Sequence, residues 1–266
     1  MLFAHGDNSY QFKENKGQWN KQVRYKTALP NGFLYLENQG FTYDFQNTEK
    51  LFKLRALHAD PTLQIDSTNF DLNGHVVKVH FNESNKHPSF LNEHPSSNYY
   101  NYIKGRDAKK WASNVRSFEK ITYQNLYDNI HLQLYTSSFN LKYDVVVHPG
   151  GNPNEIEIEY AGADNIKLEN GKLIVSTSVG SLIEQQPYAY QIIDGKKAEV
   201  DCEFKLKNNK LTFFFPNGYD NLHQLIIDPI LIFASYSGST ADNFGMTATY
   251  DSHGNLLSGG TVFDQG

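Results

Sequence analysis

Short turn dipeptides recur along this chain, each next to a stretch in which apolar and polar residues alternate. They are Asn73-Gly74, Asn170-Gly171, Asp194-Gly195 and Asn208-Asn209. A two-residue hairpin turn of type I′ needs φ > 0 at both central residues, which Asn, Asp and Gly adopt at little cost. The dipeptides therefore predict antiparallel hairpins, and residues 166–215 are predicted to be consecutive strands joined by tight turns.

Alternation of apolar and polar residues, the pattern of a half-buried strand, extends over most of the chain. The apolar phase is occupied by Val77, Val79 and Phe81; by Ile130, Leu132 and Leu134; by Tyr143, Val145 and Val147; by Ile156 and Ile158; and by Cys202, Phe204 and Leu206. In this phase Cys202 is most simply a small buried hydrophobe. The clearest helical pattern covers only residues 106–118. We therefore predict an all-β fold, mostly antiparallel hairpins and meanders, sandwich-like, with at most one or two short helices.

Composition excludes several classes of protein. With 24 basic and 29 acidic residues the net charge is 24 − 29 = −5, which argues against a nucleic-acid-binding protein because that function needs a basic face. Aromatic residues make up 14% of the chain, whereas disordered chains contain few of them. A single cysteine excludes an internal disulfide. No run of about 18 apolar residues is present, so no transmembrane helix is predicted.

The sequence divides into three parts. Residues 1–9 are either a plain start or the remnant of a signal peptide, whose cleavage site favours small residues such as Ala4. Residues 10–229 are predicted to form one β-rich domain. Residues 230–266 are predicted to form the incomplete first blade of a β-propeller-type repeat.

Two segments interrupt the β-rich domain: residues 48–73, which are mixed and polar around Asp60-Pro61, and residues 87–102. Pro88, Pro95 and a Ser-Ser-Asn cluster favour a long surface connection over residues 87–102. We therefore expect any subdivision of the domain near residues 85–110, and any binding loop in one of these two segments.

The C-terminal part contains three predicted strands, at residues 230–236, 245–250 and 256–261. A single blade cannot bury its own apolar face, because repeat architectures need several units. We therefore expect this part to be the least protected of the chain, with residues 230–235 stabilised by pairing with the preceding domain.

Residues that could carry out chemistry are present but form no recognisable catalytic pattern. The chain contains no G-x-S-x-G, H-E-x-x-H or Walker motif, and no G-x-G-x-x-G after a strand. Glu155, Glu157 and Glu159 lie on one face of a predicted strand, where like charges are usually solvated. We therefore predict no catalytic, cofactor-binding or metal-binding residues, and no cofactor.

Tyr99, Tyr100 and Tyr102 are the candidate ligand-binding residues. Tyrosines near a polar loop can stack on sugar rings while the hydroxyl finds a partner, although in β-rich proteins they more often form core or cross-strand pairs. Trp19 and Trp111 are predicted to be mostly buried with the indole N–H paired, since a large aromatic side chain contributes core area and carries one donor.

Several short segments occur in a fixed order along the chain. They are 12–19 (FKENKGQW), 35–37 (YLE), 102–105 (YIKG), 111–115 (WASNV), 126–130 (LYDNI), 141–144 (LKYD), 160–164 (YAGAD), 187–191 (PYAYQ), 227–229 (IDP) and 236–242 (YSGSTAD). Together they resemble the N-terminal domain of secreted Bacteroidetes cell-surface proteins that carry seven-bladed β-propeller (SBBP) repeats. The resemblance implies export by the type IX secretion system, an association with gliding motility and further repeats downstream. It implies no site residues.

Two functions of different classes are expected. The first is a non-enzymatic module, the N-terminal β domain of a large exported adhesin-like or gliding-associated protein, secreted or on the outer cell surface. Its partners would be the downstream propeller repeats, surface glycans or other surface proteins. The alternative is a carbohydrate-binding or carbohydrate-processing module of an exported protein.

Overall fold

The computed structural model describes residues 11–29, 31–47, 73–103, 105–137, 140–229, 231–235, 242–250 and 256–263. The described chain is nearly all β, as the alternating pattern predicts, with short 3-10 turns at Ala108–Lys110 and Pro153–Glu155. The strands are β1 (Phe12–Glu14), β2 (Tyr25–Leu29), β3 (Gly32–Glu37), β4 (Gly40–Gln46), β5 (Gly74–Phe81), β6 (Ser89–Tyr102), β7 (Ala112–Tyr127), β8 (Ile130–Ser137), β9 (Asn140–Val147), β10 (Ile158–Ala161), β11 (Asn165–Glu169), β12 (Lys172–Thr177), β13 (Gly180–Glu184), β14 (Tyr188–Ile193), β15 (Lys196–Val200), β16 (Glu203–Lys207), β17 (Lys210–Phe214), β18 (Leu225–Asp228), β19 (Leu231–Ser235), β20 (Asp242–Tyr250) and β21 (Leu256–Phe263).

The predicted tight turns within residues 166–215 are confirmed. The turns that join β11 to β12, β14 to β15, and β16 to β17 each consist of two residues with φ between 51° and 77°. These residues are Asn170 and Gly171, Asp194 and Gly195, and Asn208 and Asn209. Positive φ at both central residues is the type I′ geometry that these residue types favour.

Asn73-Gly74 does not form such a turn. Gly74 begins β5 and pairs with Gln46, the last residue of β4, so residues 47–73 lie between the two strands. The prediction of a tight turn here is wrong, because β5 pairs with a strand that ends far back along the chain.

Two antiparallel sheets build the main part of the structure. The larger has the order β15-β14-β18-β9-β8-β7-β1-β2-β3-β4-β5-β10-β17-β16, with β6 also paired to β7, and the smaller has the order β11-β12-β13-β19. The hairpins of residues 166–215 are therefore consecutive in sequence but separate in space. The β14–β15 and β16–β17 hairpins lie at opposite ends of the larger sheet, since a turn fixes only the two strands that it joins.

One hydrophobic core is shared by both sheets, which makes the fold sandwich-like. Within the larger sheet, the rings of Phe41 on β4 and Tyr123 on β7 lie 6.1 Å apart across this core. The smaller sheet contributes Leu173, Val175 and Leu182, none of which is exposed to solvent.

The helix predicted for residues 106–118 is wrong. Only Ala108–Lys110 forms a 3-10 turn, whose first turn is capped by Asp107, and β7 begins two residues later. β7 pairs with β6 along one edge and with β1 and β8 along the other. Pairing on both edges and burial of Val115 outweigh the weak helical pattern of this segment.

The surface connection predicted for residues 87–102 is also wrong, because most of it is strand β6. Among the described strands β6 pairs only with β7. Its middle is irregular: His94 has φ 54°, and the pairing register shifts between Pro95 and Tyr99. A proline is tolerated in an edge strand because no neighbour on that side needs its N–H.

Trp111 is 44% exposed, so the prediction that it is mostly buried is wrong. Its indole N–H is paired as predicted, because Nε1 donates to the carbonyl oxygen of Gly105 at 3.2 Å.

The chain divides into two compact units, Met1–Ala234 and Ser235–Gly266. β19 is the last strand of the smaller sheet, next to β13, which confirms the expected pairing of this segment with the preceding domain for Leu231–Ser235. In the second unit β20 and β21 form an antiparallel pair, with a register shift between Gly245 and Thr247. The assignment of this pair to a propeller blade stays a prediction.

Candidate functional site

The loop between β1 and β2 is organised by the side chain of Asn15. Its Nδ2 donates to the carbonyl oxygens of Asn20 (2.9 Å) and Val23 (2.8 Å). Its Oδ1 accepts the backbone N–H groups of Gly17 (3.0 Å) and Trp19 (3.3 Å). One amide side chain therefore supplies both donors and acceptors to this loop and fixes the position of Trp19. We call residues 15–24, between β1 and β2, the Trp19 loop.

The neighbouring polar residues attach the Trp19 loop to the larger sheet. A carboxylate oxygen of Glu14 accepts the backbone N–H of Arg116 at 2.8 Å and lies 3.1 Å from Nζ of Lys16. The same Nζ donates to the carbonyl oxygen of Asn114 at 2.8 Å. Gln18 donates from Nε2 to the carbonyl oxygen of Glu14 at 2.7 Å. These contacts give the ENKGQW segment a structural explanation.

The Trp19 side chain is half-buried beside other aromatic rings. It meets Tyr102 edge-on, with ring centroids 5.5 Å apart. Nζ of Lys26 lies 5.9 Å from the Trp19 ring and 3.5 Å from the Phe33 ring, within the range of cation–π attraction. Among the described residues the Trp19 indole N–H has no hydrogen-bond partner, unlike the pairing that we predicted.

The three predicted ligand-binding tyrosines do not form one platform. Tyr99 is 59% exposed, whereas Tyr100 is half-buried with Nζ of Lys13 at 4.2 Å from its ring, and Tyr102 contacts Trp19. Successive side chains of a strand point to opposite faces, which separates Tyr99 from Tyr100. Burial lowers the pKa of Lys13. The structure thus adds Trp19 to this region; in the sequence it was marked only as the last residue of the FKENKGQW segment and as a side chain predicted to be buried.

Two grooves lie on either side of the chain that follows Trp19. One, the Trp19 groove, has a volume of about 490 Å³, and the other, the His80 groove, has a volume of about 370 Å³. Lys21 and Arg24 line both of them. The Trp19 groove is also lined by Glu14, Asn15, Trp19, Tyr25 and Phe90, and the His80 groove by Glu37, Gln39, Lys78 and His80.

The prediction that Glu155, Glu157 and Glu159 lie on one strand face is wrong, because Glu155 belongs to the 3-10 turn Pro153–Glu155 and Glu157 precedes β10, so that only Glu159 lies on the strand. Glu157 Oε1 accepts from Nζ of Lys210 at 2.6 Å and from the amide of Asn82 at 2.8 Å. These hydrogen bonds, with Lys210 first, hold the pKa of Glu157 below its usual value. They connect the residue that precedes β10 with β17 and with the residue that follows β5.

Glu184 is a buried carboxyl that sequence analysis missed. It is 2% exposed, and its two oxygens accept hydrogen bonds from the hydroxyls of Tyr143 and Tyr160, both at 2.7 Å. Burial raises its pKa, and the two tyrosine hydroxyls oppose that shift. Because Glu184 belongs to the smaller sheet and both tyrosines to the larger one, this cluster joins the sheets. Its burial keeps it from contact with a substrate.

A second acidic cluster lies on the outer side of the larger sheet. The Tyr135 hydroxyl lies 3.1 Å from both oxygens of Asp144, and Nζ of Lys142 lies 3.4 Å from both oxygens of Asp228. Burial first, and then the charge of Asp228, raise the pKa of Asp144 to about 6. Such a carboxyl can change charge near neutral pH.

Metal and thiol chemistry find little support in the described residues. Among them, no three His, Cys, Asp or Glu side chains are grouped so that they could hold a metal ion. Cys202 is 4% exposed, which confirms its predicted role as a small buried hydrophobe, and burial raises its pKa to about 12. None of the described helical segments is long and apolar enough to cross a membrane.

A family model described as a domain of unknown function, DUF7948, matches residues 12–230. The chain belongs to this family. The DUF7948 segment covers β1 to β18, and with them the Trp19 loop, both grooves and the Glu184 cluster. Comparison with curated proteins and with solved structures found no match.

Proposed function

We propose that this chain is a non-enzymatic module of an exported cell-surface protein, in which the β-rich domain precedes β-propeller-type repeats. The observation that carries the proposal is the structural use of the segments on which the resemblance rests. Asn15 of the ENKGQW segment organises the Trp19 loop, and Tyr143 and Tyr160 of two other segments hold Glu184. These residues connect structural elements of the domain. Their presence therefore supports a similarity to the family in fold, and it gives no support for a shared catalytic activity.

The placement of the carboxyl groups also favours a module without catalytic activity. Glu184 is buried, Glu157 is bound by Lys210, and both oxygens of Asp144 face the hydroxyl of Tyr135. A glycoside hydrolase generally needs a pair of carboxyl groups, one on each side of the bond that is cleaved, and a substrate must be able to reach both. Glu184 and Glu157 are instead used in contacts within the domain, whereas Asp144 also lines a groove of about 430 Å³.

Protease treatment of intact cells of the producing organism tests the proposed location. An epitope tag inserted between Asp194 and Gly195, in an exposed hairpin turn, reports on the full-length protein. We expect added protease to remove the tag from intact cells while a cytoplasmic marker stays whole. Loss of the tag only after lysis would contradict a cell-surface location.

Glycan binding is a second candidate function, favoured by the half-buried Trp19 beside Tyr102 at the edge of a groove. An indole face can cover the apolar side of a sugar ring. A glycan array probed with the wild-type chain and with Trp19→Ala, Tyr99→Ala and Tyr100→Ala tests it. Phe214→Ala is the matched control, because Phe214 is an exposed aromatic residue on β17. Silence across the array would leave only the first proposal.

A further inference from the structure

Two cations that line both grooves have no counter-ion among the residues that the structure describes. Lys21 and Arg24 are exposed, and within the described residues neither side chain makes a hydrogen bond or an ion pair. Arg24 is held by its backbone N–H, which donates to the carbonyl oxygen of Leu36 at 2.7 Å, and its guanidinium lies 5.4 Å from the centre of the Phe90 ring. The main chain at Arg24 is therefore fixed, the guanidinium lies beside the Phe90 ring, and its N–H donors have no partner among the described residues.

The acids that line the same grooves are already neutralised. In the Trp19 groove, Glu14 pairs with Lys16 at 3.1 Å. In the His80 groove, Glu37 pairs with Lys78 at 2.9 Å and accepts the hydroxyl of Thr42 at 2.8 Å. The charges of Lys21 and Arg24 therefore remain uncompensated, although the chain as a whole carries a net charge of −5.

We propose that the Trp19 and His80 grooves together bind an acidic oligosaccharide through its uronate carboxylates. Arg24 would bind a carboxylate with its planar fork, Lys21 would add a second positive charge, and Trp19 would cover a sugar ring. Each groove has the size of a site for a small ligand, roughly 300–1,000 Å³. This inference rests on the glycan-binding candidate and gives it a substrate class.

Titration calorimetry with a galacturonic-acid tetrasaccharide and its methyl ester tests the inference. The ester keeps the sugar rings and removes the charge, so we expect it to bind at least about tenfold more weakly, as the loss of a charge-assisted hydrogen bond would require. Arg24→Gln and Lys21→Gln should each weaken binding of the free acid by about tenfold. Both residues are exposed, and circular dichroism checks that the variants fold.

Lys196→Gln is the matched control, since it removes one positive charge from exposed β15 at the far end of the larger sheet. Equal binding of acid and ester, or equal effects of Arg24→Gln and Lys196→Gln, would overturn the acidic class. If that binding still depended on Trp19, the glycan-binding candidate would stand. Absence of binding to both sugars, together with a silent array, would remove both proposals. The proposal would also be overturned if inorganic phosphate competed for the site as strongly as the tetrasaccharide does, because the site would then bind anions in general.

Discussion

Replacing Glu184 by glutamine should make the protein more stable at neutral and alkaline pH. Glu184 is 2% exposed, and burial raises the pKa of its carboxyl above the usual value of 4.5. A carboxyl whose pKa is raised on folding contributes stability that is fully present below the pKa of the unfolded chain and is lost as the pH rises through the folded-state pKa. An amide at this position stays neutral, so the variant avoids that loss.

The size of the effect follows from the shift. Each unit by which the folded-state pKa exceeds 4.5 costs the wild type about 1.4 kcal/mol of unfolding free energy at high pH. At pH 4 the protonated acid and the amide are nearly equivalent, so the two proteins should agree. Glu184→Leu behaves differently, because it leaves the hydroxyls of Tyr143 and Tyr160 buried without an acceptor. At ~1–3 kcal/mol each, this makes Glu184→Leu less stable than Glu184→Gln by about 2–6 kcal/mol at every pH, because neither side chain titrates.

Urea titrations between pH 4 and pH 8 measure these differences. Glu203→Gln is the control, since Glu203 is exposed and should change stability little at any pH. A Glu184→Gln protein that is less stable than wild type by the same amount at every pH would refute the reasoning. So would a stability gain that appears only at acid pH.

Four further changes test other parts of the structure. Asn15→Ala removes the amide that holds the Trp19 loop, so we expect a loss of about 1–3 kcal/mol in urea titration and stronger acrylamide quenching of tryptophan fluorescence. Asp144→Asn should remove the contribution of this one carboxyl to the pH dependence: because its folded-state pKa is raised, the thermal midpoint of the wild type should fall relative to that of the variant as the pH rises from 3.8 to about 6, and a difference that stays constant over this range would contradict this. Gly195→Ala meets no atom within 4 Å but must keep φ at 72°, so it should cost about 1 kcal/mol, and a much larger loss would point to a contact that the structure does not show. In hydrogen exchange, β20 and β21 should exchange faster than the main sheets; slow exchange throughout both strands in a monomer would mean that they belong to the domain's own fold.

Local chemistry made the hairpins predictable. Asn170-Gly171 and Asp194-Gly195 reverse the chain through their own backbone preferences. Their turns can therefore be predicted from two neighbouring residues in the sequence. The order of the strands is different in kind. β18 lies between β9 and β14, a placement that depends on packing across the whole domain.

The errors and omissions share a physical cause. The segment that becomes β7 has a weak helical pattern, but β6, β1 and β8 pair with it from both sides. Glu184 is 41 residues from Tyr143 and 24 from Tyr160, and only the folded chain brings them together. At the candidate site, Tyr100 and Tyr102 could be named from the sequence. The unpaired charge of Arg24 could not, because it depends on the pairing of the nearby acids with Lys16 and Lys78 in the folded chain.

The irregular middle of β6 has a consequence for how copies of this protein meet at high concentration. Ribbons of strands grow when one chain offers another a continuous row of N–H and C=O groups. Along β6 that row is interrupted. Pro95 has no N–H, the backbone of His94 is in the left-handed conformation, and the pairing register with β7 shifts between Pro95 and Tyr99. Only short regular stretches remain on either side, and short stretches pair weakly. We therefore expect the irregular middle of β6, a strand of fourteen residues, to disfavour fibril growth along this edge.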